Sequence, residues 1–259
     1  MEEGKDLQRR WEANSLKGSR KVIETLHTRG APLIIAHRGF TGIGENNLRS
    51  FIAALDRGVD MIEVDVRISG DGVLVAHHDP EIGDLKISEA TVEELRRVGI
   101  EDLEYIVGAL GDEALYMIDI KIPDVIGELR RIILKYGLQE RAILAGDPEA
   151  VKALGDELNM LIAPSFGLCN WGYSLKRTLE MGAQILNENK VCYDPEAHRE
   201  ALNHGLLISV WTVNDPHEIE DFALRGVHFL VTDNIEEAVK IVRRLRELTK
   251  HDLGWCINA

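Results

Sequence analysis

Two short segments place ionisable side chains where a buried strand would carry aliphatic ones. In "IEVDVRI" (62–68), Glu63, Asp65 and Arg67 alternate with Ile62, Val64, Val66 and Ile68. In "MIDIKI" (117–122), Asp119 and Lys121 alternate with Ile118, Ile120 and Ile122. Successive strand residues face opposite sides, so each segment has one aliphatic face and one charged face. Carboxylates on an inner face are costly without a partner. One solution is an internal salt bridge with Arg67 and Lys121. The other is a metal ion: Glu63, Asp65 and Asp119 offer only oxygen donors, which suits a hard divalent cation such as magnesium, calcium or manganese better than zinc.

Two histidines end neighbouring runs. "IIAHRGFTGIGEN" (34–46) leaves its aliphatic strand at His37, and "VLVAHH" (73–78) ends on His77 and His78. Between "MIEVDVRI" (61–68) and "VLVAHH" lies only "SGDG", far too short for a parallel crossover and suited to a hairpin loop. Folding back there returns His77 and His78 to the level of Glu63. Two imidazoles beside a carboxylate cluster can serve as acid and base on opposite sides of a reacting centre.

The elements that must position these groups read as strands at "LIIA", "MIEVDV", "VLVAH", "LYMIDIKI", "AILAG", "MLIAP", "QILN", "LLISVWTV" and "FLVT". Amphipathic stretches such as "NLRSFIAALDRG" and "DVIGELRRIILKYG" separate most of them, which argues for a parallel sheet with helices outside it. A chain of 259 residues, 45% hydrophobic, can bury one substantial core. The expected fold is α/β: a TIM (β/α)8 barrel with a β-hairpin after the second strand and an N-terminal helical extension. The ninth strand-like run is then the antiparallel arm of the hairpin. Residues 1–29, with Leu7, Trp11, Leu16, Ile23 and Leu26 among many charges, read as helix covering the amino-terminal end of the barrel. Residues 30–248 form the barrel domain and 249–259 a tail, with "EAVKIVRRLRELTKH" (237–251) as an amphipathic terminal helix.

A formal charge of −14 argues against nucleic acid or an anionic membrane surface as a partner. No run approaches the roughly 18 apolar residues of a membrane span, and the charged start lacks the apolar centre of a signal peptide. A cytoplasmic protein without stable membrane insertion is expected; homo-oligomer formation is left open. Cys169, Cys192 and Cys256 form neither a CxxC nor an even set and read as reduced thiols. Ser209, Trp211 and Val213 should share one strand face, and Asn187 and Glu188 read as surface polar groups at a strand end.

Together "HRG" (37–39), "EN" (45–46), "NLRSFIAALDRGVDMIEVDVRISGDGVLVAHHD" (47–79) and "WTVND" (211–215) resemble the signature of the glycerophosphodiester phosphodiesterases, which are TIM barrels. The resemblance implies that His37 and His78 are the acid and base, and that Glu63, Asp65 and Asp119 bind the metal. Arg38 would hold the phosphate, Glu45 would support the site, and Lys121 and Trp211 would line it. The implied reaction is metal-dependent hydrolysis of a small-molecule glycerophosphodiester to glycerol phosphate and an alcohol. The alternatives are a lysophospholipase D-type phosphodiesterase and a catalytically silent barrel that binds a phosphorylated metabolite. This chain departs from the family pattern at Gly44 and Asn47, where "PEN" followed by Thr is usual, and at Asp119, where Glu is common.

Overall fold

A computed structural model describes residues 18–167 and 169–252; Leu7, Trp11, Leu16 and Cys256 lie outside the described residues. Eight parallel strands form the barrel wall: β1 (Leu33–Ala36), β2 (Met61–Ile68), β6 (Tyr116–Ile120), β7 (Ala142–Gly146), β8 (Ile162–Pro164), β9 (Ile185–Asn189), β10 (Leu207–Trp211) and β11 (Phe229–Thr232). Their order around the wall is β8-β7-β6-β2-β1-β11-β10-β9. The hairpin arm β3 (Leu74–Ala76) runs antiparallel to β2, with Val66 opposite Ala76 and Ile68 opposite Leu74. All nine strand-like runs of the sequence are therefore strands. A second small hairpin, β4 (Glu81–Ile82) with β5 (Leu85–Lys86), follows His78. Helices α1 (Arg20–Arg29), α2 (Leu48–Asp56), α3 (Val92–Arg97), α4 (Leu103–Leu110), α5 (Ile126–Lys135), α6 (Pro148–Leu158), α7 (Trp171–Met181), α8 (Pro195–Asn203), α9 (Pro216–Leu224) and α10 (Ile235–Asp252) complete the fold.

Strand alternation divides the core in two. Ile62, Val64, Val66, Ile118 and Ile120 belong to the buried cluster shared with the helices, alongside Phe51 of α2 and Leu129 of α5. Leu33, Ile35, Met61, Met117, Ile143, Ile185 and Phe229 form a second cluster inside the barrel, joined by Val22 and Leu26 of α1. Helix α1 thus closes the amino-terminal end of the interior, and its apolar pair supplies the surface that does so. Helix α2 begins at Asn47, whose side chain accepts from the Ser50 backbone N–H at 3.0 Å while Ser50 Oγ accepts from Asn47 N–H at 3.3 Å. Asparagine is as good an N-cap as the threonine it replaces, so the sequence departure at this position leaves the helix start intact.

Three expectations are corrected. Cys169 and Cys192 form a disulfide, with Cα atoms 5.1 Å apart, rather than remaining free thiols; the sequence offers no pairing motif because the two meet only when β8 and β9 become neighbours around the wall. Asn187 and Glu188 are buried, at 5% and 4% exposure, because β9 is covered on both faces. Glu188 shares the helix-facing side with Leu186, and burial pushes its carboxyl up to about 7, against the opposing effect of the Ser174 hydroxyl. Val213 is buried in the helix-facing cluster while Trp211 packs on the interior one, because the strand ends at Trp211 and alternation ends with it.

Among the described residues no backbone ladder joins β8 to β9. Side-chain amides cross that seam instead. Asn187 Nδ2 donates to the Ala163 carbonyl at 3.4 Å and to Ser165 Oγ at 3.1 Å, and Gln184 Oε1 accepts from Ile162 N–H at 3.2 Å. No helix among the described residues is long and apolar enough to cross a membrane.

Candidate active site

The parallel register of β2 and β6 sets Asp65 opposite Asp119 and Glu63 opposite Met117. All three carboxylates point into the barrel near the carboxyl ends of their strands, where enzymes of this architecture place their chemistry. One oxygen from each of Glu63, Asp65 and Asp119 lies within 4.8 Å of the others. Glu63 and Asp65 are nearly inaccessible, at 4% and 1% exposure. Lys121 Nζ stands 2.7 Å from Asp65 Oδ1 and 2.5 Å from Asp119 Oδ2, and Arg38 Nε stands 3.2 Å from Asp65 Oδ2. Arg67 feels the charges of Asp65 and Asp119, but its Nε donates to the His78 carbonyl at 2.8 Å and so holds the hairpin end.

These contacts divide the carboxylates electrostatically. Burial, with the charges of Asp65 and Asp119 added to it, drives the Glu63 carboxyl well above its usual range. Burial works in the same direction on Asp65, but the Lys121 ammonium, Asn46 and Arg38 outweigh it and hold that carboxyl below its usual range. Lys121 and Arg38 can balance only two of the three carboxylates, and Glu63 is the one that resists ionisation.

The loop after β1 wraps this cluster. Arg38 and Asn46 take φ values of 57° and 51°, an uncommon region for residues with a side chain. The result is that Arg38 N–H donates to Glu63 Oε2 at 2.9 Å. Asn46 grips Asp65 twice, with Nδ2 donating to Oδ2 at 2.7 Å and Oδ1 accepting from the Asp65 backbone N–H at 3.1 Å. Gly39, at φ 89°, leaves no room for a side chain: a Cβ there would sit 2.5 Å from Ser50 Oγ and 2.9 Å from the Ser50 carbonyl carbon. Glu45 holds the guanidinium of Arg38, accepting from an Nη1 hydrogen at 3.2 Å.

Both histidines carry a carboxylate on Nδ1. His37, whose backbone N–H donates to the Thr232 carbonyl at 3.0 Å, lies with Nδ1 2.7 Å from Asp233 Oδ1. His78 lies with Nδ1 2.7 Å from Asp79 Oδ1. The hairpin delivers it: His77 N–H donates to the Asp65 carbonyl at 3.1 Å, which brings the end of the arm beside the triad. Trp211 packs against the interior cluster, and its Nε1–H is buried without a hydrogen-bond partner. Sequence reasoning missed the roles of Asn46, Asp79 and Asp233. The only signal for Asp233 was a carboxylate directly after the strand "FLVT", on the same end of the barrel as His37.

The donor chemistry fits a divalent cation. Every candidate ligand is a carboxylate, Lys121 and Arg38 match only two of the three acids, and Asp65 Oδ1 is fully buried with an ion-pair contact but no hydrogen bond. Glu63, Asp65 and Asp119 are the residues that would hold the ion.

The acidic triad and the two carboxylate-held histidines thus stand at the carboxyl mouth of a parallel (β/α)8 barrel. The profile of the Glycerophosphoryl diester phosphodiesterase family matches residues 37–159, which contain His37, His78 and all three acids. A glycerophosphodiester phosphodiesterase of Caldanaerobacter subterraneus subsp. tengcongensis is 27% identical over 243 residues, covering 82% of this chain and 98% of the relative. The crystal structure of a glycerophosphodiester phosphodiesterase from Thermotoga maritima superposes with a TM-score of 0.69 at 25% identity, covering 82% of this chain and 98% of that one. One from Parabacteroides distasonis shares the fold with a TM-score of 0.73 at 23% identity, covering 83% and 98% of the two chains. Its similarity is thus to the glycerophosphodiester phosphodiesterase family, by the profile over residues 37–159 and by these relatives over most of the chain.

Proposed function

We propose that the protein hydrolyses glycerophosphodiesters to glycerol phosphate and an alcohol, with His37 and His78 as the acid and base and Glu63, Asp65 and Asp119 as ligands of one divalent cation. The observation that carries this reading is the convergence of the three carboxylate oxygens within 4.8 Å at the barrel mouth that also holds both histidines. A phosphodiester carries one negative charge and the chain is strongly acidic, so attraction must be local. Arg38 and Lys121 supply it, since at contact distance they act well inside the screening length of about 8 Å at physiological salt. Glu45 keeps Arg38 in place, and Trp211 lines the site. The cation, when bound, supplies Lewis-acid stabilisation of charge developing on the phosphoryl oxygens.

One histidine takes the proton of the attacking hydroxyl, from water or from the neighbouring glycerol hydroxyl, and the other protonates the departing alcohol oxygen. The substrate is a small molecule of this class rather than a nucleic acid, whose recognition would call for a basic footprint. A silent phosphate-binding barrel is disfavoured because it would have no use for two imidazoles each backed by a carboxylate. The test is turnover of glycerophosphocholine, glycerophosphoethanolamine and lysophosphatidylcholine, before and after chelation and with magnesium, manganese or calcium restored. Turnover of the first two that chelation abolishes and a divalent ion restores is the expected result. Undiminished turnover after exhaustive chelation would remove the metal assignment, preference for lysophosphatidylcholine would move the substrate class, and no turnover of any would remove the enzyme reading.

A further inference from the structure

The two histidines are held very differently. Asp79 adjoins His78 in the chain and is 66% exposed, beside an imidazole 40% exposed. Asp233, by contrast, comes from the end of the neighbouring strand β11 and is itself clamped: Asn214 Nδ2 donates to Asp233 Oδ2 at 2.7 Å while Asn214 Oδ1 accepts from Asp233 N–H at 2.8 Å. Thr232 Oγ1 also donates to Asn214 Oδ1 at 3.2 Å, and Asn234 Nδ2 donates to the Asn214 carbonyl at 3.0 Å. Two donors on Asn214 Oδ1 fix which way its amide faces. Burial works to raise the Asp233 carboxyl, but the hydrogen bonds from His37 and Asn214 and the nearby charges of His37 and Arg38 hold it below its usual range. It is an anion at neutral pH, and an anionic carboxylate only accepts hydrogen bonds.

We propose that Asp233 and Asn214 are positioning residues that lock neutral His37 as the Nδ1–H tautomer and leave the Nε2 lone pair as its only proton-accepting atom. The proposal rests on the two-histidine reading above for its catalytic meaning, but the tautomer itself is a property of the free protein. In the reaction, Nε2 takes the proton from the attacking hydroxyl as its oxygen bonds to phosphorus. Asp233 then faces an imidazolium and stabilises it. The phosphorus–oxygen bond to the alcohol breaks as His78 gives that oxygen a proton.

The decisive substitution is Asp233→Asn. Because Asn214 presents a fixed donor, the new carbonyl oxygen must turn towards Asn214, and the new NH2 then faces His37 Nδ1. Donation to Nδ1 forces the ring proton onto Nε2, the wrong tautomer for accepting a proton there. The expected loss in kcat is about 10² to 10⁴ with KM changed less than about threefold, whereas Asp233→Ala, which imposes no tautomer, should lose less. Nitrogen-15 NMR of neutral His37 in the full chain, without substrate, should report Nδ1–H in the wild type, Nε2–H in D233N and a mixture in D233A. If the wild type shows Nε2–H, or if D233N keeps the wild-type tautomer and rate, the proposal is overturned. The wild-type spectrum decides even if a variant fails to fold. The expected tautomers in a chain that turns over no phosphodiester would instead remove the functional reading and leave the positioning intact.

Discussion

Lys121 Nζ bridges two carboxylates of the triad, at 2.7 Å from Asp65 and 2.5 Å from Asp119. It is thus an internal cation on the oxygens proposed to bind a metal. Breaking a buried charge pair by removing one partner costs about 3–5 kcal/mol, so Lys121→Met should lose stability on that scale in chelator. A saturating divalent cation should recover more stability in this variant than in the wild type, because the ion replaces the lost charge. Denaturant unfolding with chelator and with magnesium checks both statements; equal stability of variant and wild type in chelator would contradict them.

The roles of the histidines can be separated chemically. His37→Ala and His78→Ala should each lower turnover of a glycerophosphodiester by about 10² to 10⁴ while leaving the fold intact. A diester with a weakly basic phenol as leaving group departs without a proton. His78, at the exposed rim where solvent can reprotonate it, is expected to be the acid, so H78A should regain much of its rate on the phenyl ester and H37A should not. The reverse pattern would exchange the two roles.

Glu188 makes stability depend on pH at a distance from the site. Its carboxyl is at about 7 in the folded protein against about 4.3 in an unfolded chain, so the folded state holds the proton more tightly. The sign follows: stability is highest below the unfolded value and falls as pH rises through the folded one, by about 4 kcal/mol in total. Glu188→Gln should flatten the curve between about pH 4 and 7 and be more stable than the wild type above that window. Parallel stability curves for the two proteins would refute this.

Asn46 offers a sharper test of the loop after β1. Asn46→Asp is nearly isosteric but replaces the donor to Asp65 Oδ2 with an acceptor of like charge. Turnover should fall at least about tenfold, the scale of one lost hydrogen bond to a charged group, and the cation midpoint should shift. An unchanged midpoint with unchanged turnover would show that Asn46 does not shape the triad.

The barrel and its triad were legible because alternation over Glu63, Asp65 and Asp119 is a local property, and because "SGDG" admits only a hairpin. His37, Arg38 and His78 could be read from strand ends and from a contiguous resemblance. What stayed hidden depends on which strands become neighbours. Asp233 supports His37 only because β11 pairs with β1, and Cys169 meets Cys192 only because β8 lies beside β9. Glu188 looked like a surface group because a single carboxylate at a strand end carries no sign of the helix that covers it. The φ of Arg38 is likewise set by the carboxylate its backbone must reach, not by its own preference.

The seam between β8 and β9 has a consequence for how this molecule meets copies of itself. Complete closure removes strand edges, and an edge is a template on which another chain can add a strand. Here two edges remain inside the wall. Gln184 occupies the Ile162 N–H and Asn187 occupies the Ala163 carbonyl, so groups an incoming strand would need are already engaged, while the Cys169–Cys192 bond ties the chain above them. The side-chain amides of β9 and its approach therefore guard against aggregation at this seam, where among the described residues the backbone does not seal the barrel.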